Sequence, residues 1–298
     1  MNERRWAALR EDAETLAATL PPLLVAAERL ASSINLGVHG RRKAGIGESF
    51  WQFRRYQSED STIAIDWRQS AKSQHLFVRE REWEAAEAVW FWRDGSSTMR
   101  FASQGTKKIE RAGLLTLALG ALLIRGGERI AVLGEGSVPS SSRIMLERMA
   151  HALASESAQE ESLPPDAQMG RNAQFVWVSD FLSPLGDLEA TMRRIAHEGL
   201  TGHLLRIVDP AEEDFPYSGR TRFEPTLGNG SEIFGRAETV RDSYRRRFRA
   251  HQEAVAELAR RLGWTCLTHR TDKRPETALF ALFLNLAGPN AKLSGLPA

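Results

Sequence analysis

The sequence predicts an α/β protein: a three-layer sandwich around a mostly parallel sheet, preceded by a helical N-terminus and a small β-rich segment. Three observations predict it. Strand-like and helix-like segments alternate from residue 86 onwards. Two of the strand-like segments, Ala88–Trp92 and Phe175–Val178, are apolar on both faces, as strands covered by helices on both sides must be. The stretches between them are long enough to be helical crossovers, and strand–helix–strand connections of that kind are right-handed and give parallel neighbours.

Residues 1–36 read as a helical segment. Ala, Leu and Glu dominate, Leu16, Leu20, Leu23 and Leu24 lie near one stripe, and Pro21-Pro22 divides it into two pieces. Residues 37–85 read as a β-rich segment. It opens on a basic, glycine-rich loop, Gly37–Gly47, followed by short strand-like runs around Phe50–Tyr56, Thr62–Trp67 and Leu76–Arg79. Residues 86–290 form the α/β domain. After Ala88–Trp92 the pattern predicts a helix over Lys107–Arg125, a strand at Arg129–Leu133 and a helix over Arg143–Leu153. Ser155–Arg171, with Pro164-Pro165, is a surface connector. Then come the strand Phe175–Val178, a helix Leu185–His197, a strand His203–Val208 and a loop-rich stretch 209–239 with room for a hairpin. A charged helix Thr239–Leu262, a strand Trp264–Thr268 and a helix Glu276–Leu286 complete the domain.

The composition excludes several classes. The chain has 298 residues, 42% hydrophobic and 26% charged, enough for a sizeable core and unlike a collagenous or disordered chain. The single cysteine, Cys266, forms no internal disulfide and no zinc cluster, and reads as a small core residue in a reducing, cytoplasmic setting. The most apolar run, Ala112–Ile124, falls short of the ~20 residues a bilayer requires. Mixed charges from Glu3 to Glu14 do not match a signal peptide. The formal charge is +2, without the electrostatic footprint of a nucleic-acid binder. Arg41, Arg42, Lys43, Arg54 and Arg55, interleaved with Trp51, Phe53 and Tyr56, read as a partner-docking face or as internally paired arginines.

In an open α/β sheet, ligands sit beyond the carboxyl ends of the strands. Two segments there carry chemistry: Asp94-Gly95-Ser96-Ser97-Thr98 after the first core strand, and Ser179-Asp180-Phe181 after a later one. Asp94, Ser96, Thr98 and Asp180 make an oxygen-only set suited to Mg²⁺, Mn²⁺ or Ca²⁺ and unsuited to a soft metal. Fewer side chains than the roughly six positions of Mg²⁺ leave room for a partner's carboxylate. The competing reading is that each aspartate caps the helix that follows it.

Asp94-x-Ser96-x-Thr98 resembles the DxSxS motif of the metal-ion-dependent adhesion site in von Willebrand factor A domains, with Asp180 at the position of their later aspartate. A longer ordered series is similar to the bacterial domain-of-unknown-function-58 family. It runs Gly45-x-Gly47-Glu48-x-Phe50, Arg55-Tyr56, Ile65-Asp66-Trp67, Ser70-Ala71, Val78-Arg79-Glu80, Thr106-Lys107, Val178-Ser179-Asp180-Phe181, Asp209-Pro210-x-Glu212, Tyr244-Arg245 and Thr271-Asp272. The resemblance covers roughly residues 35–287. It implies a von Willebrand A-like core behind a family-specific β-rich segment, and a partnership with a MoxR-type AAA+ ATPase, or with its client, in maturation or assembly of other proteins. Two departures stand out. Thr98 replaces the last serine of the motif, and the second-loop threonine has no clear match, leaving Ser140, Ser141 and Ser142 as candidates.

The remaining features read as structural. Gly40–Ser49 lacks the Lys-Ser/Thr of a phosphate loop. The histidines show no metal-binding spacing, and no GxSxG elbow is present. Arg241, Arg245, Arg246, Arg247 and Arg249 read as a solvated helix face. Asp66 with Arg68, Arg79 or Arg81 reads as an ion pair within the β-rich layer. The function that follows is a non-catalytic, metal-dependent protein-interaction module. A metal-dependent hydrolase (phosphoesterase or nuclease) on the same carboxylates is the alternative, and a metal-free structural adaptor the third reading.

Overall fold

The computed structural model describes residues 31–32, 42–45, 49–56, 67–72, 75–84, 88–134, 138–154, 161–170, 173–224 and 231–287. The expected N-terminal helix lies outside these residues except for Ala31 and Ser32, which are helical, and Ala31 is buried in the main core. The chain divides into two compact units, His39–Ala86 and the remainder.

The smaller unit holds β1 (Arg42–Gly45), β2 (Ser49–Arg55), the helical turn α1 (Trp67–Ser70) and β3 (Phe77–Glu84). The strands form an antiparallel sheet in the order β1-β3-β2, with a bulge between Phe50 and Gln52. The Ser70 hydroxyl accepts the Phe77 N–H at 2.8 Å, which ties the turn to β3. Trp67 begins a helical turn instead of ending a strand, and Thr62–Asp66 lie outside the described residues, with the expected Asp66 ion pair.

The larger unit contains β4 (Ala88–Arg93), a 3₁₀ turn (Ser97–Arg100), α2 (Lys108–Arg125), β5 (Arg129–Val132), α3 (Arg143–Ala154) and β6 (Gln174–Ser179). It continues with α4 (Leu185–His197), β7 (Thr201–Val208), the short helix α5 (Pro210–Asp214) and the hairpin β8 (Thr221–Phe223) and β9 (Glu232–Phe234). A 3₁₀ turn (Ala237–Val240), α6 (Arg241–Arg261), β10 (Thr265–Arg270) and α7 (Pro275–Ala287) follow. Five strands make one sheet in the order β10-β7-β6-β4-β5, and every pair in it is parallel.

Side-chain alternation builds two cores. Val89, Phe91, Val176, Val178, Leu205 and Ile207 pack with α2, α3 and α7 on one face. Trp90, Trp92, Phe175, Trp177 and Leu204 pack with α4 and α6 on the other. Both central strands are therefore apolar on both faces between their polar ends, and the helix–sheet–helix layers follow from that pattern. Trp92 and Trp177 are register partners whose rings meet edge-on, 5.8 Å between centroids. Gly202 lies against the Trp264 ring; a Cβ there would stand 2.1 Å from its atoms. His203 is a satisfied core residue. Its Nε2–H donates to Gln174 Oε1 at 3.0 Å, so in the neutral ring Nδ1 accepts from the Thr265 hydroxyl at 2.9 Å.

Candidate functional site at the carboxyl edge of the sheet

Strand order locates the site. The chain leaves β4 for α2 on one face and leaves β6 for α4 on the other, so their loops part above two neighbouring strands. Ligand crevices form at such a switch point. Asp94 and Asp180 are the first residues beyond these two strands.

Asp94 is buried, and its N–H donates to the Val178 carbonyl at 2.8 Å, continuing the β4–β6 pairing by one residue. Its Oδ1 accepts the Ser96 N–H at 2.8 Å and its Oδ2 the Ser179 hydroxyl at 2.6 Å. The Ser96 and Thr98 hydroxyls lie 2.9 Å apart. Asp180 Oδ1 accepts the Leu182 N–H at 3.1 Å. Neither aspartate caps a helix: the residue preceding α2 is Lys107 and that preceding α4 is Pro184. Both aspartates instead close tight turns onto the N–H two residues on. Burial, and then the negative charge of Asp180, push the Asp94 pKa up to about 6.

Lys108 is the site residue that sequence reasoning missed. It is fully buried, and its Nζ donates to Asp180 Oδ2 at 2.9 Å and to Glu212 Oε1 at 2.5 Å. Burial alone would lower its pKa, but Asp180 and Glu212 outweigh burial and hold it above the ordinary lysine value. Lys108 is the first residue of a long helix, where the macrodipole disfavours a cation, and the anions it faces offset that cost. Asp209 and Glu212, quoted above only as part of a motif, form a reciprocal cap on α5. Asp209 Oδ1 takes the Ala211 N–H at 2.9 Å and Glu212 Oε2 takes the Asp209 N–H at 2.9 Å. Asp209 Oδ2 also accepts the Ser103 N–H at 2.8 Å, which fixes the loop after Thr98.

Two non-glycine residues adopt left-handed backbone here, Phe181 at φ 54° and Phe215 at φ 41°. Such conformations persist where surroundings over-determine them. Phe181 follows Asp180; its N–H donates to the Ser179 hydroxyl at 2.9 Å and its carbonyl accepts from His251 Nε2 at 2.7 Å. Phe215 ends α5, and its carbonyl accepts from Arg241 Nε at 3.1 Å. Arg241 also donates to the Tyr217 carbonyl at 2.9 Å, and Arg245 to that of Asp214. These two arginines are thus clasps and not part of a solvated face, whereas Arg246, Arg247 and Arg249 are exposed as expected.

Beside the carboxylates lies a cavity of about 530 Å³ walled by Phe101, Phe215, Tyr217, Phe223, Phe234 and Tyr244. Thr98 and Glu212 line it too, so cavity and carboxylate edge share a wall.

The second-loop candidates lie elsewhere. Ser140 pairs with Ile130, which is level with Val89, four residues below Arg93 and so about 13 Å from the edge. The Ser140 hydroxyl accepts the Ser142 N–H at 3.1 Å, and the Ser142 hydroxyl the Ile144 N–H at 3.3 Å at the start of α3. Among the described residues no group of three or more His, Cys, Asp or Glu side chains is placed to hold a metal. The donor set at the edge instead combines two carboxylates with the Ser96 and Thr98 hydroxyls, the hard-oxygen chemistry a Mg²⁺-like ion accepts. A carboxylate offers about four lone-pair positions, and each aspartate has at least two in use. In its chemistry the remaining donor set suits a hard divalent ion.

A helix–sheet–helix sandwich with an oxygen-rich crevice at the carboxyl edge of its parallel sheet defines the class, and the arrangement is consistent with a von Willebrand A-like domain. Residues 52–254 match the family described as "Protein of unknown function DUF58", and the chain belongs to that family. It is 25% identical over 279 residues to the uncharacterized protein Rv1480 of Mycobacterium tuberculosis, covering 88% of this chain and 87% of that one. The same figures hold for the uncharacterized protein Mb1516 of Mycobacterium bovis. Among solved structures, an aerotolerance-related membrane protein from Bacteroides fragilis aligns at 16% identity and a TM-score of 0.40, over 66% of this chain and 96% of that one. The conserved hypothetical protein BatB from Bacteroides thetaiotaomicron aligns at 15% and 0.38, over 66% and 95%. Among the described residues of this chain, no helix is long and apolar enough to cross a membrane.

Proposed function

We propose that the protein is a non-catalytic, metal-dependent protein-interaction module whose docking surface is the carboxyl edge of the sheet. One observation carries the reading: Asp94, Ser96 and Thr98 converge on one another beside Asp180, whose own counter-ion Lys108 is shared with Glu212. Asp94, Ser96 and Thr98 would hold Mg²⁺, Mn²⁺ or Ca²⁺, with Asp180 facing the same crevice. Bound there, the ion supplies a Lewis-acidic position that a partner's carboxylate completes. Ser179 orients Asp94 through its hydroxyl, and Lys108 fixes Asp180 through its Nζ. The family resemblance supports a MoxR-type AAA+ ATPase, or the client it remodels, as partner.

Two measurements test this. Calorimetric titration of Mg²⁺ into the wild type is expected to give a saturable isotherm that Asp94→Ala abolishes. Wild type is expected to capture an AAA+ ATPase or its client, identified by mass spectrometry, in Mg²⁺ and not in EDTA, with Asp94→Ala capturing neither. No Mg²⁺ isotherm, together with equal capture in all conditions, overturns the reading.

A further inference from the structure

The aromatic cavity has no part in holding an ion, yet it opens onto the same edge through Thr98. Its volume of about 530 Å³ lies within the range of ligand pockets, and six aromatic rings line it. The rings are fixed before anything binds. Phe215 and Tyr217 meet edge-on at 5.2 Å, Phe215 lies 4.8 Å from Tyr244, and Phe223 contacts both Tyr217 and Phe234. Arg241 and Arg245 hold the backbone beneath Phe215 and Tyr217. A rigid aromatic wall suits an apolar side chain.

The charges on the lining select what lies next to that side chain. Both Glu212 oxygens are engaged, by Lys108 and by the Asp209 N–H. Glu224 stands 3.9 Å from Arg222. Arg247 lines the cavity, is exposed, and has no hydrogen-bond or ion-pair partner among the described residues. Arg247 is therefore the charged side chain of the lining that has no partner among the described residues. Leu182, the second residue after Asp180, also lines the cavity and is an exposed large apolar side chain at 39%. Apolar surface thus runs from the cavity towards the aspartates, as it does at a protein contact.

We infer that this cavity is the specificity pocket for a protein partner: it takes one aromatic or long aliphatic side chain from a segment in which an acidic residue adjoins it. The inference rests on the reading that the edge docks a protein, and it adds which segment docks. Fully desolvated aromatic anchors commonly carry most of the affinity of such contacts.

The test uses fluorescein-labelled peptides with a Gly-Gly-Phe-Glu-Gly-Gly core and the matching Ala-Glu and Phe-Gln cores, read by fluorescence polarisation with the full chain. The Phe-Glu peptide is expected to bind at least tenfold more tightly than Ala-Glu. Ser243 lines the cavity from the exposed first turn of α6, so Ser243→Trp fills it without entering the core, and is expected to erase the Phe/Ala preference. Arg247→Ala, at an exposed position, is expected to weaken Phe-Glu severalfold and to leave Phe-Gln unchanged. Circular dichroism melts of both variants certify the fold. Loss of Mg²⁺ dependence with the Phe/Ala preference intact would overturn the metal reading and keep the pocket. Equal binding of Phe-Glu and Ala-Glu, or a preference that survives Ser243→Trp, overturns the pocket. Tighter binding of a free aromatic carboxylic acid than of the Phe-Glu peptide would also overturn it, by making the occupant a small acid.

Discussion

Replacing Lys108 by methionine is the sharpest perturbation the structure offers. Methionine keeps the apolar stem and removes only the ammonium, leaving Asp180 Oδ2 and Glu212 Oε1 without their shared donor at 2.9 and 2.5 Å. The Lys108 side chain is wholly buried, with Asp180 at 3% and Glu212 at 13% exposure, so the stranded carboxylates stay largely desolvated. Removing one partner of a buried ion pair costs about 3–5 kcal/mol, because the stranded charge stays desolvated. In a chain of this size that lowers the melting midpoint by roughly 10 °C. The Trp92–Trp177 pair packs beneath the site, so tryptophan fluorescence during urea and thermal unfolding reports on it. Adding Glu212→Gln to Lys108→Met removes one stranded charge and is expected to recover part of the loss, so the double variant melts above the single one. A Lys108→Met protein within 1 kcal/mol of wild type, or a double variant no better than the single, would refute the account of Lys108 as the internal counter-ion of this edge.

Two further outcomes follow from the core. Gly202→Ala drives a Cβ to 2.1 Å from the Trp264 ring, which α6 and β10 confine, so it should cost about 3 kcal/mol in urea unfolding, the upper end for overpacking; a loss below 0.5 kcal/mol would mean that the ring moves freely. Burial holds the His203 pKa down to about 4, so the folded protein keeps it neutral while the unfolded chain takes up a proton near pH 6.5. Its contribution is full above about pH 6.5 and is lost as pH falls towards 4, at about 1.4 kcal/mol per pH unit. His203→Gln should remove about one proton's worth of slope from the urea midpoints between pH 7.5 and 4.5; an unchanged slope contradicts the assignment.

The parallel sheet was legible because β4 and β6 are apolar on both faces, a pattern that only two covering layers explain. Asp94 and Asp180 were legible for the same reason: once the strands are placed, the residues beyond their carboxyl ends are known. Helix edges moved by a residue or two where capping and not periodicity decides them, as at Lys108 and Arg241. Lys108 and Glu212 were not legible as site residues. They lie 104 positions apart, and only the strand order brings α2 and α5 to one crevice. The clasps made by Arg241 and Arg245 were hidden because their acceptors are backbone carbonyls, which carry no side-chain signature. The cavity was hidden because its rings come from a loop, a short helix, a hairpin and the start of α6.

Helix α6 serves the edge as a ruler. Arg241, Tyr244, Arg245, Phe248 and His251 follow one another at helical spacing; the first three grip or wall the cavity, and His251 holds the Phe181 carbonyl next to Asp180. From Arg241 to His251 the helix rises about 15 Å. One stiff helix therefore fixes the wall of the pocket and the turn after Asp180 together, so a displacement of α6 along its axis moves both at once.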